Sequence, residues 1–250
     1  MARSEPAVSA RVSGDGALVG FDTATGDTAV CATRGDEILH ESLLGLSEKG
    51  GPLHTTALLG EVEGAVAAAG GWEAVDAIAV GLGPGSFTGL RVGIATARAL
   101  GLSRGLPVTG VCTLDALGRA LGERAAGSTR LAVIDARRDE VFAALYAAGG
   151  ERLWDPFVCL PAELAERIGG LEEPPLSAGS GAVRFRQALA SRGVEVPDSA
   201  DPVHRVGARH ICALAASGFG GEGHGPVAPI YLRPPDAERW RERDTSQAAD

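Results

Sequence analysis

The alternation of apolar and polar positions divides the chain into two similar series of elements. In the first, apolar runs at 17–23, 28–33 and 37–43 are separated by the turns Thr25-Gly26-Asp27 and Arg34-Gly35-Asp36, which predicts three hairpin-linked strands. Residues 55–69 put Leu58, Val62, Ala65 and Ala69 on one face of a helix. The wholly apolar run 77–80 reads as a buried strand, followed by a helix reaching about Arg104. A strand at 106–111 leads into a helix over 113–121, with Thr113 as the expected cap. From Arg130 the series restarts: strand 131–135, polar turn 136–139, strands 140–147 and 151–160, helix 161–168. An extended stretch at 175–181 with a glycine-rich end and a helix to Arg192 follow. A helix over 203–217, a loop over 218–225 and an extended segment over 227–232 end the patterned part.

The restart is a duplication. Leu131-Ala132-Val133-Ile134-Asp135 aligns with Leu18-Val19-Gly20-Phe21-Asp22, each an apolar strand closed by an aspartate. Two copies of strand-strand-strand-helix-strand-helix predict an α/β fold: mixed sheets, helices on both faces, and a cleft between the halves. The boundaries read as a disordered polar extension (1–16), a first half (17–107), a second half (108–233) and a charged, flexible tail (234–250). Asp22 and Asp135 are then expected at equivalent strand ends facing the cleft. The competing reading makes each a turn residue bound to its own backbone.

Between the strand at 77–80 and its helix lies Gly81-Leu82-Gly83-Pro84-Gly85-Ser86, with Ser86 or Thr88 able to cap the helix. A glycine-rich loop opening a helix either holds an anion on free N–H groups or is a tight connection holding nothing. Two phosphate loops are excluded: no lysine follows Lys49, and the glycines do not fall at the first, third and sixth positions of the dinucleotide fingerprint. Within the helix, Gly89, Gly93, Ala97 and Gly101 recur four apart on one face. Each glycine there costs about 1 kcal/mol relative to alanine, so a close approach is expected to offset it. Spacing alone favours the protein's own sheet as the approaching surface; a partner's helices are the alternative.

Composition narrows the function classes. The 250-residue chain carries a net charge of −9, which opposes tight binding of nucleic acid by this chain alone. Cys31, Cys112, Cys159 and Cys212 lie far apart without a CxxC pair, as expected of reduced cysteines in a cytoplasmic protein. No apolar run has the length of a membrane span, and the N-terminus lacks the apolar core of a signal peptide. None of His40, His54, His204, His210 and His224 has a histidine three or four residues away, so they read as surface or packing residues.

The block Gly83-Pro84-Gly85-Ser86-Phe87-Thr88-Gly89-Leu90-Arg91, followed by Gly93-Ile94, resembles the signature of the TsaB (YeaZ) family. Phe21-Asp22-Thr23-Ala24-Thr25, Ile134-Asp135-Ala136-Arg137-Arg138-Asp139-Glu140-Val141 and Pro229-Ile230-Tyr231-Leu232-Arg233 resemble further blocks in the family's order. The resemblance implies the fold of actin and the sugar kinases, two ribonuclease-H-like βββαβα halves about a cleft. It also implies a part in forming threonylcarbamoyladenosine beside the anticodon of ANN-reading tRNAs. There the family is regarded as a non-catalytic scaffold for a TsaD-type threonylcarbamoyltransferase, joined by a TsaE-type ATPase. The TsaD type holds a metal with two histidines four apart on a helix; here His54 is followed at that spacing by Leu58.

The resemblance favours the partner reading of the glycine stripe. Leu58, Val62, Ala65 and Ala69, with Gly89, Gly93, Ala97 and Gly101, are then the expected seam for a homodimer or a TsaD-type partner. No cofactor is required on this reading. Asp22, Thr23, Thr25, Gly83, Gly85, Ser86 and Asp135 mark a vestigial cleft for weak ATP or ADP binding in the complex. The rival reading is a small-molecule kinase of the same superfold, with Asp22, Thr23 and Thr25 near phosphate and Asp135 as base. Against it, the turn over 23–27 carries no lysine or arginine. An older listing of the family among glycoproteases has neither a metal pair nor a nucleophile–base pair behind it.

Overall fold

A computed structural model describes residues 16–218 and 227–233. The expected tail 234–250, nearly all of the extension 1–16 and most of the loop 218–225 lie outside them. The first half is built from β1 (Ala17–Asp22), β2 (Thr28–Arg34), β3 (Glu37–Leu44), α1 (His54–Ala69), β4 (Val75–Gly81), α2 (Phe87–Arg104) and β5 (Val108–Val111). Its sheet runs β3-β2-β1-β4-β5, with β1 antiparallel to β2 and parallel to β4. After α3 (Thr113–Arg124) come β6 (Arg130–Asp135), β7 (Val141–Tyr146), β8 (Arg152–Cys159), α4 (Pro161–Ile168), β9 (Leu176–Ala178), α5 (Ser180–Arg184), α6 (Arg186–Ala190) and α7 (Ala208–Ser217). The second sheet runs β8-β7-β6-β9 and repeats the first in its pairing: β6 is antiparallel to β7 and parallel to β9. Asp22 and Asp135 close β1 and β6 at equivalent positions. This is the duplicated α/β arrangement that the repeat in the sequence predicts.

Both sheets are covered on both faces, which explains why their central strands are apolar throughout. In β1, Ala17, Val19 and Phe21 face α1 and α2, joining Leu58, Val62, Leu90 and Ile94. Leu18 faces the other way, with Cys31, Ala77 and Ala79, onto Ile211 and Cys212 of α7. At Gly20 an added Cβ would lie 2.4 Å from Cys212 Sγ, so glycine is what lets α7 seat this closely. The second sheet puts Ala132, Ile134, Phe142 and Ala144 against Leu114, Leu117 and Leu121 of α3.

These contacts correct the boundary at 107/108. β5 pairs with β4 and belongs to the first sheet, so the crossover falls at Cys112. The last described helix, α7, returns from the second half to cover the first sheet. Its expected start at 203 is also revised: Pro202–His204 form a 3-10 turn, and the α-helix begins at Ala208 after Gly207. The helix expected to reach Arg192 is broken at Phe185 into two short pieces. Residues 227–232 pair with no strand and cross the molecule as a strap.

Candidate functional site

The end of β1 positions Asp22, only 1% exposed. One carboxylate oxygen accepts from the Ala24 N–H at 2.8 Å and the other from the Thr113 hydroxyl at 2.8 Å. That hydroxyl in turn accepts from the Gly83 N–H at 3.1 Å, and the Thr113 N–H donates back to the Gly83 carbonyl at 2.8 Å. Thr113 therefore does not cap α3, whose N-cap is Cys112; its side chain is committed to Asp22. A Cβ at residue 81 would sit 1.8 Å from the Asp22 carboxylate, so β4 closes over it. Burial pushes the carboxyl up to about 6, against the two hydrogen bonds that favour its charged form.

The glycine loop is a tight connection whose space is filled by the β1–β2 turn. An added Cβ would meet the Ala24 carbonyl at 2.2 Å from Gly85 and the Thr23 carbonyl at 2.0 Å from Gly89. The Ser86 N–H donates to the Ala24 carbonyl at 2.7 Å, and the Ser86 hydroxyl caps α2 by accepting from the Gly89 N–H. Thr23 donates its hydroxyl proton to the Gly89 carbonyl at 2.8 Å. Below the turn, the His54 Nε2–H donates to the Thr25 carbonyl at 3.1 Å and Nδ1 accepts from the Thr28 hydroxyl at 2.9 Å. Where an anion would sit against Gly85, the backbone of Ala24 already lies.

Asp135 has the opposite surroundings. Arg184 of α5 donates to both its oxygens, at 2.9 and 3.1 Å, and reaches Asp139 at 2.7 Å. The hairpin between them places Arg137, Arg138 and Asp139 at φ values of 63°, 51° and 58°, a left-handed run that side chains adopt at about 1–2 kcal/mol per residue. Two carboxylates sharing one guanidinium help hold that turn. Asp135 is thus an ion-pair acceptor rather than the free base of the kinase reading. At the second glycine loop, the Gly179 N–H donates to His204 Nδ1 at 3.2 Å, and His204 Nε2 faces the Pro197 and Asp198 carbonyls. Neighbouring elements thus occupy both glycine loops. Among the described residues, no grouping of histidine, cysteine, aspartate or glutamate could hold a metal ion.

The residues expected at the seam turn inward in this chain. Leu58, Val62, Ala65, Ala69, Gly89, Gly93, Ala97 and Gly101 are all buried in the chain's own first half. A Cβ at Gly93 would lie 2.4 Å from Thr23 Oγ1, and one at Gly101 2.4 Å from Val108 Cγ2. The small-residue face serves the β1–β2 turn and β5. The opposite faces carry Leu59 (59% exposed) with Gly60, Glu63 and Ala67 on α1, and Arg91, Ala95, Ala99 and Leu102 (88% exposed) on α2.

Two further clusters escaped the sequence reading because their members are far apart along the chain. Asp115 accepts from Arg152 at 3.1 and 2.6 Å and from the Tyr146 hydroxyl at 2.8 Å, tying α3 to β7 and β8. At the start of α2, the Arg91 guanidinium lies 3.7 Å from the Phe87 ring centre, and Tyr231 of the strap packs on the same ring at 5.1 Å.

Comparison with known proteins agrees with this architecture. Residues 48–194 match the family described as "TsaD: tRNA N6-adenosine threonylcarbamoyltransferase". The TsaB proteins of Escherichia coli and Haemophilus influenzae, named for tRNA threonylcarbamoyladenosine biosynthesis, are each 36% identical, over 43% and 50% of this chain. YeaZ from Pseudomonas aeruginosa superposes with a TM-score of 0.69 at 28% identity, covering 87% of this chain and all of its own. The chain belongs to the TsaB (YeaZ) family. The matched stretches span 48% and 51% of the two TsaB proteins. An uncharacterized protein of Mycobacterium tuberculosis is 39% identical over 66% of this chain and 67% of its own length. No helix among the described residues is long and apolar enough to cross a membrane.

Proposed function

We propose that the chain is a non-catalytic docking subunit of the machinery that forms threonylcarbamoyladenosine on ANN-reading tRNAs. The observation that carries this reading is the division of labour around the two aspartates and the two helices. Asp22 is sealed under β4 and Asp135 is paired with Arg184, whereas the outer faces of α1 and α2 present Leu59 and Leu102 among small residues. A TsaD-type threonylcarbamoyltransferase is the partner for that face, with a TsaE-type ATPase joining the assembly. A second copy of this chain competes for the same face, because a two-fold contact is self-complementary. The isolated acidic chain binds tRNA weakly, and ATP or ADP enters only with the complex.

The test is Leu59→Asp with Leu102→Asp. Both side chains are exposed, so the variant melts like the parent, while its affinity for a TsaD-type partner in light scattering falls by about tenfold or more. Unchanged partner binding by a normally folded double variant overturns the docking face.

A further inference from the structure

We infer that residues 227–233 form a clasp across the cleft, governing how far the two halves separate. Val227 packs against the core of the first half, whereas Ile230 and Leu232 pack against that of the second. At the crossing, the Ile230 N–H donates to the Leu82 carbonyl at 2.8 Å, in the glycine loop itself. Arg233 pairs with Glu140, at the foot of the β6–β7 hairpin. The strap therefore runs from the loop that covers Asp22 to the hairpin that carries Asp135.

Its two sides differ in weight: Val227 alone adds apolar packing to the first half, where Tyr231 supplies the rest of the fastening. Ile230 and Leu232 contribute apolar surface to the second half's core. Tyr231 instead lies on the outside, 41% exposed, against the first turn of α2. Its ring packs on Phe87 at 5.1 Å, and its hydroxyl accepts from Arg91 Nε at 3.4 Å. Arg91 also covers the other ring contact, 3.7 Å above Phe87. An aromatic pair and an exposed guanidinium stack make a modest, water-accessible fastening, which opens more readily than buried apolar packing. The first half thus releases the strap first, and the freed cleft exposes the Asp22–Thr113–Gly83 floor.

The fastening also reaches the proposed docking face. Arg91 begins the exposed stripe of α2 that continues through Ala95, Ala99 and Leu102. A partner seated on that stripe therefore touches the clasp. This coupling rests on the docking reading; the clasp itself does not.

Hydrogen exchange on the full chain separates the two. In Tyr231→Ala, the amides of Ile230, Gly83 and Thr113 are expected to exchange about tenfold faster, with the centres of β1 and β6 unchanged. Tyr231→Phe keeps the ring on Phe87 and is expected to exchange like the parent. Unchanged exchange at the three reporters in the alanine variant overturns the clasp. So does faster exchange at reporters and strand centres together, which would mark Tyr231 as a residue of general stability. With a TsaD-type partner added to the parent chain, slower exchange at Ile230 is expected. Binding without that change overturns the coupling, whereas absence of binding overturns the docking reading and leaves the clasp standing on the first comparison.

Discussion

Asp22 gives up its proton at a higher pH than an exposed aspartate does. Burial raises its carboxyl from 3.8 to about 6, while Ala24 and Thr113 donate to it and partly oppose that rise. Below pH 3.8 the group is protonated in both folded and unfolded chains and the full stability is present. As pH climbs toward 6 the unfolded chain releases this proton first, so the folded chain holds more protons and stability falls. The loss across the window is on the order of 2–3 kcal/mol, complete somewhat above the folded value. Asp22→Asn removes the titration. Urea unfolding from pH 4 to 8 is expected to show a decline for the parent that is shallower by about that amount in the variant. Parallel pH profiles for the two chains would refute the assignment. Asp135, in equivalent place on β6, instead accepts two hydrogen bonds from Arg184, so one duplicated position serves two structural purposes.

On α1 and α2 the sequence states that something comes close without saying what. Glycines spaced four apart on a helix have the same signature whether the approaching surface is a partner's helix or the chain's own turn. Here it is Thr23 and Val108. Gly93→Leu is accordingly expected to destabilise the isolated chain by about 3 kcal/mol or more, lowering its melting temperature rather than only its affinity for a partner. A variant that melts normally and loses only assembly would restore the seam. The strands were legible because a short apolar run bounded by a turn is a local signal, and so were the Ser86 cap and the duplicated aspartates. The uses of Thr113 and Arg184 were not. A threonine at a helix start carries a local capping signal, which the carboxylate of Asp22 overrides in space. Arg184 and Asp135 are 49 residues apart, with no periodicity linking them. The outer faces were hidden by the choice of stripe: once Leu58 is inward, Leu59 must point out.

Across the whole molecule, the halves recognised by repetition are not the units that bury surface. α3 leaves the first sheet to cover the second, and α7 leaves the second half to cover the first. The first sheet therefore depends on a helix delivered by the second half, and the strap fastens the halves again on the cleft side. This interlocking predicts that the first half does not fold alone. A fragment of residues 16–112 retains all of its strands, α1 and α2, yet leaves Leu18, Cys31, Ala77, Ala79 and Val111 without the α7 residues that cover them. It is expected to bind a hydrophobic dye and to lack a cooperative melt by circular dichroism. Appending residues 202–218 to the same fragment through a flexible glycine–serine linker restores the covering helix, with Arg205 returned to Asp27 at 2.7 Å and Cys212 to its place over Gly20. That chain is expected to melt cooperatively and exclude the dye. A cooperative melt of the fragment without α7 would show that the first sheet is stable with one face open, and that the crossing helices join two finished domains rather than complete them.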